Sequence, residues 1–160
     1  MPDLVTHFAS AYILKIPDRW ARFRIPFYLG ALLPDLLSRP WMILYPPASS
    51  LVYSLHTPSM TAIVCLLIAQ FFEENIRSNV RLNLLLGVAL HYSLDIFQKY
   101  QTVGYHWLFP FSWKTFGLGL FWPEDSVKFV PLWIGLILII EAVLLYRKRQ
   151  RDKGRTRLDS

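Results

Sequence analysis

Four histidines, His7, His56, His91 and His106, and two aspartates that interrupt apolar stretches, Asp35 and Asp95, are the residues of this chain best suited to chemistry. His91 and Asp95 are four residues apart. On a helix that spacing stacks the two side chains on one face, about 6 Å apart at Cβ, where they can share one ion. The plainer reading is a hydrogen bond that only fixes helix packing. Asp35, after Pro34, could equally cap a helix end. Taken singly, His7 reads as an interfacial histidine and His56 as a turn residue beside Thr57.

Together these plain readings conflict with the cost of ionised carboxylates at membrane depth. Such groups are by default functional and need a named partner. A divalent cation would supply one. Imidazole and carboxylate without thiolate suit zinc best, with manganese or iron as alternatives. Cys65 is the only cysteine and lies in an apolar run, which excludes an intrachain disulfide and a Cys-based zinc knuckle. A zinc ion with an open position brings its bound water toward neutral pKa and yields a hydroxide nucleophile. A serine mechanism is disfavoured, because neither Ser59 nor Ser93 lies in a nucleophile-elbow pattern.

The elements that must position these groups follow from composition. In 160 residues, 54% are hydrophobic, 16% aromatic and 18% charged. That is too little charge for a soluble surface and too much apolar material for one small core, so a lipid-facing surface is expected. Five apolar segments can be cut at prolines and charge clusters: Leu4 to Ile16, Ile25 to Leu37, Pro58 to Phe72, Val80 to Gln98 and Phe129 to Tyr146. The last two approach the ~20 residues that cross a bilayer, whereas the first two are short and reach membrane depth only by packing on the others. Thr57-Pro58 marks the third start and Pro131 the first turn of the fifth.

The stretch Tyr100 to Lys128, with Trp107, Trp113 and Trp122, reads as an interfacial loop with room for a short helix. The N-terminal stretch Met1 to Ile16 lacks a basic start and a cleavage site and is expected to stay in the mature protein. The expected fold is all-α: one membrane-embedded polytopic bundle of about five helices, two of them short, over residues 1–146. A basic, disordered cytoplasmic tail follows over residues 147–160.

Charge sets the expected orientation. The tail carries +5 of the net +6, which suits anionic lipid headgroups better than nucleic acid, and no nucleic-acid partner is expected. With the tail inside, alternation of the segments places thirteen of the seventeen basic residues on the cytoplasmic side, leaving Arg39, Lys99, Lys114 and Lys128 outside. All four histidines and both aspartates then fall toward the outer face. Glu141, inside the fifth segment, is expected to snorkel or to pair with a tail arginine.

The motifs Thr6-His7, Gly30 to Asp35, His56-Thr57-Pro58-Ser59, His91 to Asp95 and Phe109-Pro110-Phe111-Ser112 resemble those of the uncharacterised membrane-bound metal-dependent hydrolase family, of the LexA-binding inner-membrane-associated type. The resemblance covers roughly residues 1–115. That family is distantly similar to zinc-dependent phospholipase C, which implies a helical metal site built from helix ends. Carried over by position, it makes His7, Asp35, His56, His91 and Asp95 the metal-ligand candidates. Many relatives carry Asp-x-Asp at the second motif, but here Leu36 and Leu37 follow Asp35; the missing carboxylate favours one metal.

The expected function is therefore a metal-dependent hydrolase of a phosphoester or other ester, at the outer face of a bacterial-type inner membrane. Asp35, His56, His91 and Asp95 are the core ligands, and His7 is a further ligand or a donor to one. His106 is a general acid or a substrate contact, and Asp35 and Asp95 share the roles of ligand and catalytic base in an order the sequence leaves open. The alternative is a non-catalytic membrane protein whose His/Asp core is structural and whose surface recruits a partner.

Overall fold

The computed structural model describes residues 4–14, 18–99, 106–122 and 125–158, and among them every regular element is a helix. Seven α-helices follow one another: α1 (Leu4–Leu14), α2 (Arg24–Leu44), α3 (Ser49–Leu55), α4 (Pro58–Ala69), α5 (Glu74–Asp95), α6 (Asp125–Lys128) and α7 (Val130–Leu158). Short 3-10 turns, Asp18–Phe23 and Pro46–Ala48, lead into α2 and α3. The end of the first expected segment, Lys15 and Ile16, lies outside the described residues, as do Tyr100 to Tyr105 and Pro123 of the expected loop.

The second segment differs from expectation in length. Rather than stopping at Leu37, α2 runs 21 residues through Pro34 and Pro40. A proline inside a helix removes one backbone hydrogen bond and crowds the preceding turn. Here the turn around Pro34 is buried against neighbouring helices, and packing outweighs the local break. The fourth segment begins six residues before Val80. Glu74 sits in the first turn of α5, where a carboxylate suits the positive helix end, and Arg77 N–H donates to Glu73 O at 2.9 Å.

Polar first turns change the membrane reading of α5. It carries Glu74, Arg77, Arg81 and Asp95, so of the two segments expected to span, only the fifth is long and apolar enough among the described residues. That span is Val130–Arg151 of α7, and none of it is buried inside the protein. Helix α7 also continues to Leu158, through the segment expected as a disordered tail from residue 147. Arg, Lys and Gln are good helix formers and no proline interrupts them.

The core is a layer of helices built on α2 and α5. Leu33, Cys65, Val80, Leu84, Val88 and Tyr92 form one buried cluster, and Ala11, Phe27 and Ala31 a second where α1 meets α2. Helix α7 leans on α1, where Tyr12 Oη donates to Glu141 Oε1. That contact, not a tail arginine, is the partner seen for Glu141. Residues 106–122 form a strap over the end of α5, with Leu118 N–H donating to Ile96 O at 2.7 Å and Lys99 N–H to Phe121 O at 2.8 Å. The strap presents Phe111 and Trp113 at 91% and 67% exposure.

Candidate metal centre

Two glycines decide how closely the two main helices approach. A Cβ on Gly30 would lie 2.1 Å from Leu84 O, and one on Gly87 would lie 2.2 Å from Phe27 O, so α2 and α5 cross backbone to backbone. One turn beyond Gly87 on the same face, His91 is thereby brought against α2, and its Nδ1–H donates to Ala31 O at 2.8 Å. Ala31 lies three residues before Pro34 on the face of α2 that meets α5. A carbonyl can only accept, so the proton is on Nδ1 and the Nε2 lone pair faces the interior.

His56 is held in the same way from a different element. It sits in the turn between α3 and α4, where Thr57 keeps the extended backbone of an N-cap and Pro58 opens the helix. The Thr57 hydroxyl does not cap α4 but donates back to Ser54 O at 2.8 Å. Ser38 Oγ donates to Pro34 O at 2.9 Å and stands 3.1 Å from His56 Nδ1. With its proton committed to Pro34, the hydroxyl accepts from His56 Nδ1–H, which again leaves Nε2 as the inward acceptor.

These nitrogens converge on Asp95, one turn along α5 from His91. Asp95 Oδ2 is 3.1 Å from His56 Nε2 and 3.3 Å from His91 Nε2, and the two Nε2 atoms are 3.4 Å apart. His7, from α1, stacks on the His91 ring with centroids 3.9 Å apart and puts its Nε2 3.5 Å from Asp95 Oδ1. That distance exceeds a normal N–H···O bond, and neither ring nitrogen of His7 makes a hydrogen bond. Asp35 flanks the group, with Oδ1 3.9 Å from His56 Nδ1 and Oδ2 2.9 Å from Arg39 Nη2.

All five ligand candidates, His7, Asp35, His56, His91 and Asp95, are therefore gathered, each at most 1% exposed. They form two overlapping triads, His56–His91–Asp95 and His7–Asp35–His91, whose ligand atoms lie within 4.8 Å of one another. The donor set fits a cation. Tetrahedral bonds of ~2.0–2.1 Å separate neighbouring ligand atoms by about 3.3–3.4 Å; His56 Nε2, His91 Nε2 and Asp95 Oδ2 lie 3.1 to 3.4 Å apart, and His7 Nε2 lies 3.5 Å from the other Asp95 oxygen.

His106 is not brought to this group. Its Nδ1–H donates to Trp113 O at 2.9 Å and its ring packs edge-on against Trp113, within the strap. The two serines weighed as nucleophiles are also engaged elsewhere, Ser93 donating to Ala89 O at 2.7 Å and Ser59 to Phe109 O. Four participants escaped sequence reasoning: Ser38, the Ala31 carbonyl, Arg39 and Gly87. Arg39 had a readable signal, four residues after Asp35, and Gly87 another, four before His91 on the same stripe. Nothing local marks Ser38 as the partner of a histidine eighteen residues away.

No curated protein and no solved structure matches the chain. The model of the YdjM inner membrane protein family does, over residues 4–156, a stretch that includes all five clustered residues and the apolar span of α7. The chain belongs to the YdjM inner membrane protein family.

Proposed function

We propose that this inner membrane protein is a metal-dependent hydrolase of a phosphoester or other ester, with one divalent ion, zinc by preference, held by His7, His56, His91 and Asp95. The observation that carries the reading is the convergence of acceptors. Two imidazoles whose Nδ1–H groups are engaged by Ala31 and Ser38 turn their Nε2 lone pairs toward one carboxylate, 3.1 and 3.3 Å away. Buried acceptors repel one another unless positive charge lies among them. A bound ion would supply that charge, and its chemistry is activation of a water as hydroxide.

The chain's own residues divide the remaining work. Asp35 lies beside the ligands without sharing the tight set around Asp95, which suits a base that takes a proton from incoming water. The Arg39 guanidinium, 2.9 Å from Asp35 Oδ2 and partly exposed, holds that carboxylate and offers a charged donor to an anionic substrate oxygen. His106, in the strap, would act only on a substrate that reaches beyond the cluster. Resemblance to membrane-bound metal-dependent hydrolases, and through them to zinc-dependent phospholipase C, implies a helical metal site of this kind but counts Asp35 among the ligands.

A second reading draws on the completeness of burial. A cluster at most 1% exposed could be a structural core, with one imidazolium donating to Asp95 in place of a metal. Metal analysis of protein purified in mild detergent separates the two. Stoichiometric zinc, manganese or iron that is lost in His91→Ala and Asp95→Ala supports the metal centre, and its absence from the native protein rules the hydrolase out. Turnover of generic phosphodiesters by the metal-loaded protein then distinguishes an enzyme from a structural metal site.

The bundle is proposed to lie in the membrane beside α7, with Ile63, Leu67, Leu82 and Leu86 among its lipid-facing residues, each 45–60% exposed. The excess of basic residues in the C-terminal segment supports a cytoplasmic position for it, against anionic headgroups. The cluster then faces the opposite side.

A further inference from the structure

At the end of the bundle remote from the histidines, an open groove of about 230 Å3 runs between the start of α2, the end of α4 and the first half of α5. Phe23, Leu29, Ile68, Phe72 and Leu84 line it, and Arg22 stands among them. An apolar cavity of about 150 Å3 lined by such residues stays dry and accepts an apolar guest. The floor, Leu84, abuts Gly30 at the helix crossing, so the groove reaches toward the core and ends seven residues, or about 10 Å of helix rise, short of His91.

Two guanidinium groups lie beside it, Arg22 among its lining residues and Arg77 through a bond to the lining residue Phe72. Arg22 lies over the Phe23 ring, 5.7 Å from its centroid, and Arg77 Nε donates to Phe72 O at 3.2 Å. Both phenylalanines are lining residues. Among the described side chains, formal charge at this end sums to +2, from Arg22, Arg24, Arg77 and Arg81 against Glu73 and Glu74. An apolar groove with Arg22 in its lining and Arg77 beside Phe72 is complementary to an acyl chain carrying an anionic phosphate headgroup.

We infer that this groove binds an acyl chain of an anionic phospholipid, with the headgroup phosphate between Arg22 and Arg77. A zwitterionic lipid could fill the apolar part equally well, but its headgroup brings a compensating cation to the same guanidinium groups. The claim concerns selectivity, and it is independent of the metal centre.

The test uses the full chain in nanodiscs of phosphatidylcholine containing a minor fraction of phosphatidylglycerol, extracted gently and analysed by native mass spectrometry. The native protein is expected to retain one phosphatidylglycerol in preference to phosphatidylcholine, by on the order of fivefold for each arginine involved. Leu29→Trp and Ile68→Trp, which fill the groove from different helices, should each abolish retention while circular dichroism shows unchanged helix content. Arg22→Gln and Arg77→Gln should leave a lipid bound but erase the preference. Equal retention of the two lipids by the native protein overturns the inference, as does undiminished phosphatidylglycerol in both well-folded tryptophan variants. A lipid-free dimer whose association the tryptophan variants abolish would assign the groove to a second copy of the chain instead.

Discussion

Ser38 is the residue on which the orientation of His56 depends. Its hydroxyl bridges Pro34 O and His56 Nδ1 at full burial, so it selects the tautomer that presents Nε2 to Asp95. Partners of this kind typically change metal affinity by about 10–100-fold when removed. Ser38→Ala is therefore expected to weaken zinc binding by that factor, measured by competition with a chelating dye, and Ser38→Thr to restore most of it. An affinity unchanged by the alanine would mean that the hydroxyl plays no part in aiming the ring. His106→Ala provides the contrast: its ring contacts lie within the strap, so metal stoichiometry should match the native protein even if turnover falls.

The crossing of α2 and α5 governs whether the residues meet at all. A methyl group at Gly87 would collide with Phe27 O at 2.2 Å and Ala31 N at 2.6 Å, both backbone atoms that cannot turn aside. Gly87→Ala should cost about 1–3 kcal/mol, the usual range for overpacking. By moving Ala31 O away from His91, it should also reduce bound metal. Gly135 is the control, since a Cβ there meets nothing within 4 Å and lies in helix α7. Gly135→Ala should raise stability by about 0.5–1 kcal/mol through helix propensity. Thermal midpoints in one detergent should move in opposite directions for the two variants; a shared direction would count against backbone contact at the crossing.

At the scale of the whole molecule, one apolar helix stands away from a layer of shorter helices and touches it through α1. Tyr12 and Glu141 link the two, which places a carboxylate of the spanning helix in a hydrogen bond rather than in bare lipid. Outside the span, Lys128 beside Asp125, at 2.7 Å, holds that carboxyl below its usual range in α6, just before α7. The basic segment that follows the span predicts its orientation. A reporter fused after Ser160 should be active only as a cytoplasmic fusion, and periplasmic activity would invert the molecule and carry the histidine cluster to the inner face.

Membrane association was legible in composition and in the run Phe129 to Tyr146, most of the span Val130–Arg151, because transfer to lipid depends on the sum of side-chain hydrophobicity over a window and hardly on tertiary contacts. The five ligand candidates were legible as residue types, since few side chains can bind a divalent ion and few are tolerated in apolar surroundings. Helix ends were less so. Pro34 and Pro40 suggested breaks that packing overrode, and the charged first turns of α5 hid its true start. Which nitrogen of His56 and of His91 faces inward, and that His106 stays in the strap, were decided only by the tertiary structure. Those outcomes depend on angles and distances of a few tenths of an ångström between residues as far apart as Ala31 and His91, and on a backbone contact that two glycines permit. Sequence spacing along one helix carries none of that information.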